Sequence, residues 1–165
     1  MEFVIWNFSQ IVKPDLSKLE QKLKIKFKNI DLLKEALTHR SYLNENPSWL
    51  TSHNERLEFL GDAVLELAST ENLFNRFPQY QEGQLTSLRA ALVNYQIIAK
   101  VAKDIDLDDF ILLSRGETKD TGRAREVILA NAMEALIGAI YLDCGYQAAT
   151  KVIEQFVINP HVDKI

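Results

Sequence analysis

HNERLEFLGDAVLELASTENLFNRF, residues 53–77, decides how the rest of the chain is read. The run holds no proline until Pro78, and Ser52 or Asn54 offers an N-cap, so it predicts one long helix from His53 to Phe77. At helical spacing Leu57, Leu60, Val64, Leu67 and Ala68 share one side, the face a core would take. Glu55, Glu58, Asp62 and Glu66 share the opposite side. They stand three or four residues apart, where like charges oppose helix formation by roughly 0.2–0.5 kcal/mol per pair, and no lysine or arginine lies on that stripe. Either the stripe is a solvated face or a group outside the helix neutralises it. Two residues argue for the second reading. Phe59 projects near the acids, where a purely solvated surface rarely keeps a large aromatic. Gly61 sits in a helix interior at a cost of about 1 kcal/mol relative to alanine, which implies close approach by another element.

At 165 residues and 47% hydrophobic, the chain can bury a proper core, and a single domain is expected. A net charge of −4 advertises no nucleic-acid partner, so a polyanionic ligand would need a local basic patch or bound cations. The one cysteine, Cys144, excludes an internal disulfide and fits a reducing, cytoplasmic setting. The opening MEFVIWNFSQIVKP has no basic start followed by a small-residue cleavage site and does not read as a signal peptide. The longest apolar run, around Ile128 to Leu142, is too short to span a bilayer and contains Glu134.

Elsewhere the patterns are helical and short. Asp15 caps a helix through Leu23. Lys22, Lys24, Lys26 and Lys28 then alternate with Leu23, Ile25 and Phe27, read as a basic connector rather than a strand. NIDLLKEALTHRS, from Asn29, has helical spacing at Ile30, Leu33, Ala36 and Leu37, and Asn44 to Trp49 reads as a loop. Helices are predicted over Glu82–Val93, over Tyr95–Lys103 with Asn94 as cap, over Arg123–Leu142 with a break at Gly145, and over Gln147–Val157 with Pro160 as terminator. Asp106–Thr121 is the least regular stretch. No alternation persists long enough for a sheet, so the fold class is all-α.

Between Glu126 and Asp143 a single residue is charged: Glu134, inside VILANAMEALIGAIYL. A helix apolar nearly all round is buried, and a carboxylate there must be paired, protonated or bound to a metal. Asn131 precedes it by three residues on the same face. An arginine (Arg40, Arg56 or Arg89) would satisfy Glu134. Packing against the acidic stripe would do so differently, with Glu58, Asp62, Asn131 and Glu134 surrounding a cation. Such an all-oxygen set selects Mg²⁺, with Mn²⁺ able to substitute. His39, His53 and His161 are scattered and make no zinc site. No Walker loop, dinucleotide fingerprint or nucleophile elbow is present.

Asn54-Glu55-Arg56-Leu57-Glu58-Phe59-Leu60-Gly61-Asp62-Ala63-Val64-Leu65 closely resembles the signature of ribonuclease III catalytic domains. The likeness extends to Leu37-Thr38-His39-Arg40-Ser41-Tyr42, to Glu82-Gly83-Gln84-Leu85 with Arg89-Ala90, to Arg115-Gly116-Glu117 and to Ile128 through Asp143, in that order along nearly the whole chain. The resemblance implies an all-helical bundle forming a symmetric homodimer. It implies a Mg²⁺-dependent endoribonuclease that hydrolyses double-stranded RNA to 5′-phosphate and 3′-hydroxyl ends, in processing of ribosomal and other structured RNA precursors. By position, Asp62 and Glu134 match the family's catalytic pair, and Glu58, Asp62 and Glu134 its metal-binding acids, with Asn131 beside them. Glu55 and Glu82 match further acids lining the valley, and Phe59 an aromatic that contacts the partner subunit. Lys119, Arg123 and Arg125 are candidate RNA phosphate contacts, with plain surface solubility as the competing role. No membrane and no organic cofactor are expected.

Two departures stand out. Asn131 occupies a position that is usually Asp in bacterial members, which removes one negative charge from the site. The chain also ends near Ile165, where bacterial members usually continue into a double-stranded-RNA-binding domain. The expectation is therefore one catalytic domain over 1–165, with 1–14 as an N-terminal extension. The alternative is a catalytically weak or silent ribonuclease III-fold protein that binds structured RNA. A helical nucleotide pyrophosphohydrolase would also place acids around Mg²⁺, but it leaves Phe59 and the ordered motifs unexplained.

Overall fold

Helices make up almost all the regular structure, as the periodicities require. A computed structural model describes residues 14–119 and 121–165, so the extension, up to Lys13, lies outside the described residues. In chain order the helices are α1 (Leu16–Leu23), α2 (Ile30–Ala36), α3 (Arg40–Glu45), α4 (Glu55–Arg76), α5 (Glu82–Leu92), α6 (Tyr95–Asp104), α7 (Gly122–Cys144), α8 (Tyr146–Ile153) and the single turn α9 (Asn159–His161). Two of the caps read from sequence form: Asp15 accepts from Ser17 N at 3.1 Å and Asn94 from Ile97 N at 3.0 Å. Asn29 caps α2 in the same way, accepting from Asp31 N at 3.1 Å. At the end of α7, Gly145 takes φ 86°, a conformation that breaks the helix where the sequence predicts.

α7 is the axis of the bundle. It packs against α4, α6, α8 and α2, and its residues from Ile128 to Ile140 are buried except Asn131 and Glu134. By length and composition α7 is long and apolar enough to cross a membrane, longer than the apolar run within it suggested; most of its apolar residues are packed against the other helices, while Val127 and Leu142 are exposed. Leu129, Met133, Leu136, Ile137 and Ile140 are fully enclosed, and each contributes roughly 1.5–3 kcal/mol of burial relative to exposure.

The structure corrects the sequence reading in four places. NIDLLKEALTHRS is two helices, because the backbone at its middle is taken elsewhere. Thr38 bridges Leu112, with Leu112 N donating to Leu37 O at 2.8 Å and His39 N to Leu112 O at 3.1 Å. α3 therefore runs to Glu45, inside the predicted loop, with His39 as its cap. Asn54, not Ser52, caps α4, without a side-chain cap bond; its Nδ2 donates instead to Ala36 O at 3.3 Å. Pro160 does not end the last helix. A π turn over Glu154–Ile158 precedes it, and Pro160 stands in the first turn of α9, where a missing N–H costs nothing.

Glu20 is the one acid buried among the described residues, 5% exposed. It accepts from Phe27 N at 2.9 Å and from Lys26 Nζ at 2.6 Å, which ties α1 to the basic connector. Burial pushes this carboxyl up, but the bonds from Lys26 and Phe27 and the Lys26 charge outweigh it and hold it below its ordinary value of 4.5. A depressed acid stabilises the native state above its unfolded pKa and loses that contribution as pH falls through the native one. Glu20→Ala is expected to cost about 1–3 kcal/mol near neutral pH, because the Phe27 N–H is left unsatisfied. The gap from wild type should narrow as pH falls below 4.5, as urea unfolding at a series of pH values would measure.

Candidate active site

α4 and α7 meet backbone to backbone. A Cβ built on Gly61 would lie 1.7 Å from the Glu134 carbonyl oxygen, and one on Gly138 would lie 2.3 Å from that of Leu57. Glycine at both positions allows the approach that Gly61 predicted from sequence. It also turns α4. The buried face is Leu57, Gly61, Val64, Leu65 and Ala68, whereas Leu67, expected in the core, is 58% exposed. With Gly61 inside the buried stripe, the acids border the core instead of opposing it, and Glu58 is half-buried.

The acidic stripe is neutralised from its two ends. Arg40 Nη1 reaches Glu55 at 3.2 Å, with His53 Nδ1 at 3.8 Å, and Arg89 Nε reaches Glu66 at 2.9 Å while its Nη1 donates to Thr70 Oγ1 at 2.8 Å. The middle is left bare. Among the described residues no hydrogen bond or ion pair reaches the side chains of Glu58, Asp62, Asn131 or Glu134. The arginine partner considered for Glu134 is therefore absent: Arg40 and Arg89 are spent on Glu55 and Glu66, and no ion pair joins Arg56 to Glu134.

Burial, then the negative charges of Asp62 and Glu58, push the Glu134 carboxyl up to about 7. Burial, then Glu55 and Asp62, raise Glu58 as well. Asp62 acts on both raised carboxyls, and Glu58 on Glu134, so the charges of α4 face the Glu134 carboxyl across the α4–α7 contact. The described residues contain no set of three His, Cys, Asp or Glu side chains poised to hold one ion. Magnesium is commonly held by one or two carboxylates with water and phosphate oxygens completing the shell. Two raised, unpaired carboxylates beside Asp62 and an unengaged amide supply that donor chemistry, so these residues fit a hard divalent cation.

The remaining candidates divide. Glu82 is exposed at the start of α5, where it accepts from Thr86 Oγ1 at 2.8 Å, and has no bond to the α4–α7 group. Phe59 is 81% exposed. Leu67 at 58% and Phe74 at 68% extend that exposed apolar surface along α4, Phe74 having drawn no attention in the sequence. Lys119 and Arg123 are exposed, Arg123 lying over the Tyr95 ring at 5.8 Å. Arg125 is different: its guanidinium pairs with Asp108 and its side chain is 18% exposed, which leaves it less free for a phosphate. Gly138 is the residue whose part in the site the sequence reading missed; a glycine inside an apolar helix was the available signal. Arg40 and Arg89, weighed from sequence as partners of Glu134, serve Glu55 and Glu66 instead.

Comparison with known proteins bears on the family and the fold. The profile described as ribonuclease-III-like matches residues 29–161. The chain is 50% identical over 136 residues to Ribonuclease 3 of Oleidesulfovibrio alaskensis, an alignment covering 82% of this chain and 59% of that protein. The chain thus spans somewhat under two thirds of the length of the curated relative it matches. A 2.2 Å crystal structure of the nuclease domain of ribonuclease III from Campylobacter jejuni is similar with a TM-score of 0.79 and 44% identity, covering 89% of this chain and 96% of that one. A second structure of that nuclease domain, concerned with flexibility in a region involved in dimer formation, gives a TM-score of 0.76 and 45% identity, covering 86% and 98%. By sequence and by fold, the chain belongs to the ribonuclease-III-like family.

Proposed function

We propose that this chain carries the catalytic site of a Mg²⁺-dependent endoribonuclease that hydrolyses phosphodiester bonds in double-stranded RNA to 5′-phosphate and 3′-hydroxyl ends. The observation that carries the reading is Glu134, an unpaired carboxylate raised to about 7 and set against α4 within reach of Asp62 and Glu58. A structural acid would have been given a basic partner, as Glu20, Glu55 and Glu66 were. When bound, Mg²⁺ would neutralise these charges, acidify a water for in-line attack and stabilise charge on the phosphoryl oxygens. The chain's own part is to hold the ion with Glu58, Asp62 and Glu134, with the Asn131 carbonyl as a further donor. Asp62 and Glu134 are the catalytic pair. The backbone contact at Gly61 fixes α7 against α4 and so keeps the carboxylates together.

Duplex RNA is recognised by shape, through phosphates and 2′-hydroxyls, with Lys119 and Arg123 as the exposed contacts and Arg125 as a lesser one. A net charge of −4 makes that binding weak and steeply salt-dependent. The exposed Phe59, Leu67 and Phe74 on α4 suit a homodimer contact, in keeping with dimer formation in the solved relative. Processing of ribosomal and other structured RNA precursors is the cellular role we assign.

The test is cleavage of a labelled RNA duplex and its separate single strands, with and without Mg²⁺ or Mn²⁺. Duplex cleavage that needs the cation is expected, and no cleavage under any divalent condition would overturn the reading. Asn131 favours the alternative of a weak or silent enzyme. Because affinity follows ligand charge, Asn131→Asp is expected to lower the Mg²⁺ concentration for half-maximal cleavage by about tenfold. Superimposable Mg²⁺ titrations of the two proteins would remove that idea.

A further inference from the structure

A cleft of about 420 Å³ opens between the start of α1, the α2–α3 corner and the loop that leads into α4. Its walls are mostly apolar: Leu16, Leu37, Tyr42, Trp49, Phe110 and Leu112. Pro14 stands at its edge, and Leu50 on its rim is 98% exposed. We propose that residues 3–12 of the same chain, FVIWNFSQIV, dock in this cleft.

Four observations select that occupant. First, the tether is short. Pro14 lines the cleft, so the segment that precedes it is tied to the cleft edge, and each residue of chain reaches at most ~3.3–3.6 Å. A segment tied this closely competes at an effective concentration near the millimolar range. Second, the chemistry matches: seven of the ten residues are large and apolar (Phe3, Val4, Ile5, Trp6, Phe8, Ile11, Val12) and none is charged. The charges at the cleft, Asp31 and Lys34, already pair with each other at 2.7 Å, so the cleft offers little to an ionic ligand. Third, the volume lies within the ~300–1,000 Å³ typical of binding pockets, room for a few of these side chains as anchors while the rest of the segment lies along the rim. Fourth, the Thr51 hydroxyl on the cleft wall is buried with no hydrogen-bond partner among the described residues. The polar backbone of a docked segment would satisfy it, whereas a purely apolar filler would not.

Occupancy has a structural consequence. Trp49 Nε1 donates to Thr38 Oγ1 at 3.1 Å, and Thr38 O accepts from Asn54 N at 2.9 Å, at the start of α4. The docked segment therefore steadies the loop from which the acidic helix emerges. This inference does not depend on the nuclease reading.

The chain's two tryptophans, Trp6 and Trp49, fall one on each side of the contact, which sets the experiment. The full chain is labelled with 5-fluorotryptophan, and the two ¹⁹F resonances are assigned with Trp6→Phe. Trp6 is expected away from its random-coil position and shielded from solvent. Leu50→Glu, at a side chain that buries nothing, and Phe8→Asp should each return it to the coil position, and Phe8→Asp should also move Trp49. A Trp6 resonance already at the coil position in the unaltered chain, or a Trp49 resonance indifferent to Phe8→Asp, would overturn the proposal. A Trp6 displacement lost on dilution would also overturn it, by assigning the segment to the cleft of a second copy.

Discussion

Glu134→Gln is expected to abolish most duplex RNA cleavage, by at least about 10²–10³-fold in rate, the scale seen when one preorganised charge-stabilising group is removed. The same substitution should make the protein more stable, and this opposite sign separates a catalytic effect from a folding defect. Burial and the charges of Asp62 and Glu58 raise the Glu134 carboxyl from 4.5 to about 7. An acid raised in the native state destabilises it once the pH exceeds the unfolded value, and the penalty is complete above the native one. Below 4.5 both states are protonated and the penalty is gone. Glutamine carries no such penalty at any pH. In the presence of a chelator, urea unfolding should find Glu134→Gln on the order of 1–2 kcal/mol more stable than wild type above pH 7, after allowance for partial solvent screening. The advantage should fade toward pH 4.5. An inactive variant that is also less stable at alkaline pH would place Glu134 among structural residues. A trade of stability for function is what an unpaired acid in an otherwise apolar helix represents.

The all-α architecture was legible because apolar spacing and capping residues act locally. Asp15, Asn94 and Gly145 mark boundaries through their own side chains or backbone, and each marks them where the sequence placed them. The break at Thr38 was not legible, because its cause is Leu112, more than seventy residues away in sequence. The site was legible in part for the same reason. Glu134 announced itself by being alone in an apolar run, and Glu58 and Asp62 by repeating at helical spacing. Periodicity fixes only relative positions on a helix, however, and not which direction faces the core. The core-facing side of α4 includes Gly61, so Leu67 is exposed and Glu58 half-buried. The division of the stripe into a neutralised pair of ends and a bare middle was likewise hidden. It depends on where α3 and α5 deliver Arg40 and Arg89, and helix packing decides that.

Gly61→Ala poses two effects of opposite sign, and their sizes decide between them. Alanine is the better helix former by about 1 kcal/mol, which would favour the substitution in a solvated helix. Here its Cβ would fall 1.7 Å from the Glu134 carbonyl oxygen, 2.6 Å from that carbonyl carbon and 2.9 Å from Gly138 N. All three are backbone atoms of a helix held on its other sides by α6, α8 and α2, so no side-chain rotation relieves the contact. α7 must move away from α4, opening the packing of Leu57, Val64 and Ala68 behind it. Such overpacking usually costs about 1–3 kcal/mol and exceeds 4 only in severe cases; a contact against rigid backbone belongs with the severe ones. Gly61→Ala is therefore expected to lower the melting temperature by about 10 °C or more, or to prevent folding. Gly138→Ala is the milder form of the same experiment, because its Cβ meets the Leu57 oxygen at 2.3 Å and Gly61 N at 3.1 Å. It should fold with a loss of about 2–3 kcal/mol and lose duplex cleavage even where thermal scans show it fully native, because the shift needed to relieve the clash displaces Glu134 from Asp62. A stable, fully active Gly138→Ala would mean that the separation of α4 and α7 does not set the geometry of the carboxylates. Stability retained in Gly61→Ala would mean that the helices part without cost and that the glycine answers to something other than their approach.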